Sequence, residues 1–117
     1  YTHGTQQADT DFVIDMNGEG CRADVMSRSV ASGNSVQRFV STMNGNAPCH
    51  GHTECDAIIM DSAAVTAAPC LTANHIDAEL IHEAAIGKIA GEQIIKLMTL
   101  GLTEQEAEEQ IVSGFLK

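Results

Sequence analysis

The chain has 117 residues and a mass of 12.4 kDa, the size of one domain or of a piece of a larger protein. An apolar fraction of 44% supports a folded core, and with 3% aromatics and no Trp that core must be built from Ile, Val, Leu, Ala and Met. Sixteen acidic against six basic residues give a net charge of −10, which repels phosphate backbones and excludes nucleic-acid and anionic-membrane binding.

From the amino end, Thr10–Met16 alternates so that Phe12, Ile14 and Met16 share one face of a predicted strand, and Asn17-Gly18-Glu19-Gly20 turns the chain. Ala23–Val30 is a second strand closed by Ala31-Ser32-Gly33-Asn34. Val36–Met43 is a third, closed by Asn44-Gly45-Asn46. Cys55–Met60 is a fourth, apolar on both faces after Asp56. The small residues of Ala63–Pro69 suit tight turns and narrow stacking, and Glu79–Ile86 is a later strand. Short strands in such a run fit either an antiparallel sandwich or a coil of stacked strands. A strand apolar on both faces should be covered on both sides, which favours the coil, a β-helix, over residues 1–89.

Beyond Ile89 the period changes. Gly91–Leu100 sets Ile94, Leu97 and Met98 on one stripe with Gly101 as its stop. Thr103-Glu104-Gln105-Glu106 reads as a capping box, and Ala107, Ile111 and Phe115 form the stripe of a second helix. Residues 90–117 are therefore expected to form a helical hairpin. Helices this short are marginal alone and must pack on the β body, on each other or on a partner.

Four cysteines occur, at positions 21, 49, 55 and 70. No apolar run approaches the roughly 20 residues needed to span a bilayer, and no signal-peptide pattern opens the chain. The cysteines are thus expected to be free thiols in a reducing, cytoplasmic setting. Tyr1 in first place leads to the further expectation that the sequence begins inside a longer protein.

Two groups could carry chemistry. Cys49-His50-Gly51-His52-Thr53-Glu54-Cys55 holds two thiols and two imidazoles, soft ligands for zinc or iron. It lacks a second matched pair at zinc-finger spacing, and the bland alternative places Cys49 and His50 in a turn with Cys55 merely packing. Ile81-His82-Glu83 lacks the second histidine of a zinc protease, because position 86 is Ile. In a regular strand His82 shares a face with Leu80, Ala84 and Ile86 while Glu83 points the other way, so the plain reading of His82 is a satisfied core histidine. His75 belongs to a turn. No nucleophile elbow and no phosphate loop is present.

Cys55-Asp56-Ala57-Ile58-Ile59, His82-Glu83-Ala84-Ala85-Ile86-Gly87-Lys88-Ile89, Glu92-Gln93, Gly101-Leu102-Thr103-Glu104 and Ile111-Val112-Ser113-Gly114-Phe115-Leu116 together resemble, in order, the C-terminal part of the SufB/SufD proteins. The resemblance implies a mainly β fold, a right-handed parallel β-helix followed by C-terminal helices. It also implies a scaffold role in iron–sulfur cluster assembly rather than an enzyme, with a transient cluster as cargo. An ABC-type ATPase of the SufC kind is the implied partner, held by the helical end through Ile94, Leu97, Leu100, Leu102, Ile111 and Phe115. A SufB/SufD-type subunit is implied alongside it. Separately, an uncapped end at Thr10–Met16 leads to the expectation that the chain self-associates as a symmetric dimer, burying that end or the strand face carrying Cys55. Cys55 and Glu83, with His82 beside it, match the residues implicated in building the cluster; Cys49, His50 and His52 are weaker candidates. The His-Glu pair is SufB-like, whereas the segment around Cys49 and His52 departs from that pattern. Cys55 is expected on a strand covered on both faces, with its thiol near an inter-subunit surface. Two alternatives stand beside the scaffold: a zinc-dependent enzyme using Cys49, His50, His52 and Cys55, and a purely structural interaction module.

Overall fold

The computed structural model describes all 117 residues. Six strands, β1 (Gln7–Met16), β2 (Cys21–Ala31), β3 (Val36–Gly45), β4 (Cys49–Ile59), β5 (Ala64–Ala73) and β6 (Ala78–Gly87), precede two helices, α1 (Gly91–Met98) and α2 (Glu104–Leu116). Odd strands form one sheet, β1-β3-β5, and even strands the other, β2-β4-β6. Every pairing is parallel and without slippage along its length. The chain thus winds as a parallel β-helix whose turn returns to the same place every 28 or 29 residues.

Alternation along each strand sends one set of side chains into the space between the sheets. Met16, Met43 and Cys49 form the buried centre, with Ile14, Cys21, Ala23, Ala78 and Leu80 packed against them. Phe12 and Phe39 meet with ring centroids 5.4 Å apart, so the predicted Phe12, Ile14, Met16 face is the inward one. Gly51 is glycine for a packing reason. A Cβ there would collide with the Met43 sulfur, would lie 2.9 Å from Leu80 Cδ2 and would press on the Met16 sulfur. At the corner, the side chains of Asn17, Asn46 and Asn74 stack from coil to coil, Asn46 donating to Asn17 at 2.8 Å and Asn74 to Asn46 at 2.6 Å.

The structure corrects three expectations. Ala64–Ala73 is a full strand, although its small residues suggest turns; Pro69 is tolerated because β5 lies at the sheet edge and need not donate on both sides. The fourth strand starts at Cys49 rather than Cys55, so Cys49 and His50 are in a strand and not a turn. That strand is also not covered on both faces: Cys49, Gly51, Thr53, Cys55 and Ala57 are buried, while the intervening His50, His52, Glu54, Asp56 and Ile58 are half-exposed.

The strands end at Gly87, and α1 begins at Gly91. Gly101 follows α1 with φ of +99°, a value that an L side chain resists, and this stops the helix. Thr103 Oγ1 accepts from Glu106 N at 3.2 Å while Glu106 Oε2 accepts from Thr103 N at 2.7 Å, the reciprocal box its sequence predicts. α2 packs on β2, with Val30 and Ala107 both fully buried, and Arg28 donates to the Lys117 carbonyl at 3.0 Å. No helix is long and apolar enough to cross a membrane.

Candidate functional site

The register of the β2-β4-β6 sheet decides which residues meet. On its outer face Asp24, His52 and Ile81 lie in one row, and Met26, Glu54 and Glu83 in the next. His52 therefore sits between two carboxylates contributed by neighbouring coils. Its Nδ1 is 2.9 Å from Asp24 Oδ1 and its Nε2 is 3.3 Å from Glu83 Oε2. Both ring nitrogens must carry protons to make both bonds, and these contacts, led by Asp24, raise the His52 pKa above its usual 6.5. Glu54 lies two residues from Asp56 on the same face, and a proton shared with that carboxyl, together with its negative charge, raises the Glu54 pKa.

One nitrogen or oxygen from each of His52, Glu54 and Glu83 lies within 4.8 Å of the others. An imidazole and two carboxylates so arranged can hold a divalent metal ion such as iron once His52 gives up one proton. Asp24, on the far nitrogen of the same ring, fixes its orientation as an outer partner of a metal-bound histidine does.

The inner face of the same sheet carries the other predicted residues. Cys55 is 1% exposed. Burial, aided by the charge of Asp56, raises its pKa, and a hydrogen bond with Ser27 partly offsets this. His82 points inward with Leu80 and is half-buried, and its Nδ1 is 2.5 Å from Thr53 Oγ1. The set of Cys55, Glu83 and His82 is therefore split by the sheet, with Glu83 outside and the other two inside. The zinc set is split in the same way: Cys49 and Cys55 face in, His50 and His52 face out, and His50 pairs instead with Glu79 at 3.3 Å. The Cys55 thiol lies inside the β-helix rather than at a free surface. Asp24 and Glu54 are the residues that sequence reasoning missed. Asp24 becomes visible only through the coil period, whereas Glu54, two positions after His52, could have been read from strand alternation.

On the hairpin, the apolar residues that stand most exposed are Ile95, Met98 and Leu100, the last at 76%. Ile94, Leu97, Leu102, Ile111 and Phe115 are half-buried.

All four cysteines are free thiols. A family model described as SUF system FeS cluster assembly, SufBD core domain, matches residues 1–115, and the chain belongs to this family. It is 38% identical over 114 residues to the iron-sulfur cluster assembly SufBD family protein of Methanothermobacter thermautotrophicus (strain Delta H), which covers 91% of this chain and 28% of that protein. The corresponding protein of Archaeoglobus fulgidus is 39% identical over 101 residues, or 86% of this chain and 27% of that one. A cyanobacterial relative, the SufBD family protein slr0074 of Synechocystis, is 28% identical over 120 residues, 99% of this chain and 25% of its own length. The chain spans less than a third of the length of these relatives.

Proposed function

We propose that this chain is a non-enzymatic scaffold in iron–sulfur cluster assembly, which takes iron on the outer face of the β2-β4-β6 sheet. The observation that carries the proposal is the convergence of His52, Glu54 and Glu83 on one point of that face in a member of the SufBD family. Hard carboxylates with one imidazole hold ferrous iron less tightly than four thiolates would, which suits a site that must pass its cargo on. Cys55 is a separate station. Its thiol is kept protonated in the core at neutral pH, and the sheet stands between it and Glu83, so it serves sulfur or a cluster edge only after local opening of the coil.

Residues 90–117 form the partner-binding end in this proposal. Leu100, with Ile95 and Met98 beside it, offers the apolar surface for an ABC-type ATPase, while the half-buried Ile94, Leu97, Leu102, Ile111 and Phe115 hold the hairpin together. A SufB/SufD-type subunit or a second copy would complete the assembly along the open edges of the two sheets.

Anaerobic titration of the metal-free chain with ferrous iron, followed by sulfide, tests the iron site. Glu83→Gln and His52→Ala should each weaken iron retention about tenfold or more while circular dichroism stays unchanged. Retention equal to that of the parent chain in both variants would remove the proposed site.

A further inference from the structure

The inner corner of the β-helix gathers four sulfur atoms that the outer-face site does not use. Cys21 and Cys49 are register partners on the adjacent parallel strands β2 and β4, and both belong to the inward set. Met16 and Met43 pack in the same cluster, their sulfurs crowding Gly51, the next inward position after Cys49. A surface crevice reaches the pair, lined among others by Cys21, Arg22, Cys49, His50, Asp77 and Glu79.

We infer that Cys21 and Cys49 form a binding site for a monovalent soft metal ion, copper(I), backed by the thioethers of Met16 and Met43. The spacing of the strands makes the case. In-register side chains on neighbouring strands stand about 4.7–4.9 Å apart, whereas a disulfide needs Cβ atoms about 3.5–4.5 Å apart. A direct S–S bond would therefore pull the ladder together. A metal ion between the sulfurs asks for no such contraction, since two metal–thiolate bonds of about 2.3 Å, the zinc value, hold two sulfurs about 4.6 Å apart, close to the spacing of the strands that carry them. The donor set then selects the metal. Zinc requires four ligands; His50 reaches the mouth of the crevice, but it belongs to the outward set and its Nδ1 is engaged by Glu79 at 3.3 Å, whereas the donors packed behind the thiols are thioethers. Two thiolates with thioether support suit copper(I), which accepts few and soft ligands. On binding, each thiol releases its proton to solvent and the copper keeps its oxidation state. The bis-thiolate complex carries one net negative charge, and the crevice also presents one cation, Arg22. Asp77 and Glu79 at the mouth favour entry of a cation.

The test is an anaerobic titration of the full chain with copper(I) buffered by a chromophoric copper(I) chelator, with X-ray absorption on the one-to-one complex. The expected result is one tightly held copper surrounded by sulfur alone. Cys21→Ser and Cys49→Ser should each lose affinity tenfold or more, and Cys70→Ser, whose thiol is exposed on β5, should titrate like the parent. Nitrogen or oxygen around copper in the unaltered chain would overturn the assignment, whether or not the variants fold. So would a Cys21→Ser/Cys49→Ser double variant that competes with the chelator as well as the parent does.

Discussion

His52 is held by two carboxylates from two different coils, and that geometry has a measurable titration. With Asp24 at 2.9 Å and Glu83 at 3.3 Å, the imidazolium is favoured in the folded chain, so the folded pKa exceeds the unfolded value near 6.5. A raised value means stabilisation that is complete below about 6.5 and lost as pH rises through the folded pKa. Glu54 adds to the same trend, because its raised pKa also favours the protonated folded form at lower pH. In metal-free protein, proton NMR should place the His52 midpoint above 6.5, and Asp24→Asn should lower it. The variant should also lose less stability than the parent as pH rises above 6.5. An unmoved midpoint in Asp24→Asn would show that the pair does not persist in solution. Thiol chemistry gives a second reading at this scale. Buried Cys55, with its raised pKa, should react with an aromatic disulfide reagent far more slowly than exposed Cys70, as mass spectrometry of the modified chain would show. How far these residues were legible follows from the distance over which their signal acts. The opposite orientations of His82 and Glu83 follow from two-residue alternation and can be read from sequence. The pairing of His52 with Asp24 follows from a coil of 28 residues, which no local pattern displays. The chemistry of the Cys49–Cys55 segment misleads for the same local reason: close in sequence, its thiols and imidazoles lie on opposite sides of one sheet.

At the scale of elements, strands were legible where β-branched or aromatic residues alternate with polar ones, as in β1 and β3. They were obscured where the inward positions are small or polar. β5 reads as turns because Ala and Pro dominate it, yet the backbone ladder with β3 makes it a strand regardless. The amino half of β4 is hidden by His50, Gly51 and His52, whose places are set by neighbouring coils and not by strand propensity. What replaces local propensity at the corner is the asparagine stack. Asn46 is its middle member, so Asn46→Ala removes two side-chain bonds, each worth about 0.5–1.5 kcal/mol. Urea unfolding should register a loss of about 1–2 kcal/mol, and no change would mean that solvent replaces the stack without cost. The capping box was legible because it is complete within four residues. Thr103→Ala should destabilise α2 by about 1 kcal/mol, visible as faster amide exchange at Glu106 and Ala107 with the β-helix unaffected.

For the whole molecule, the two sheets leave both ends of the coil stack open, with β1 and β2 at one end and β5 and β6 at the other. At the second end Leu71 and Ile86, inward-facing residues of the last coil, remain 38% exposed because no further coil covers them. Unpaired strand edges with apolar side chains are templates for pairing with another chain. A second copy meeting this end would extend both sheets at once and cover the inner row. The net charge of −10 opposes that contact. Screening shortens its reach from about 10 Å at 0.1 M salt to about 3 Å at 1 M. Apolar contact is not weakened by the same change, so sedimentation equilibrium should show a monomer–dimer balance that shifts toward dimer as salt rises. Leu71→Lys places a charge at the open row and should hold the chain monomeric at both salt concentrations. A parent chain that stays monomeric throughout would mean that the last coil is stable uncovered, and Leu71→Lys dimerising like the parent would move the contact to another surface.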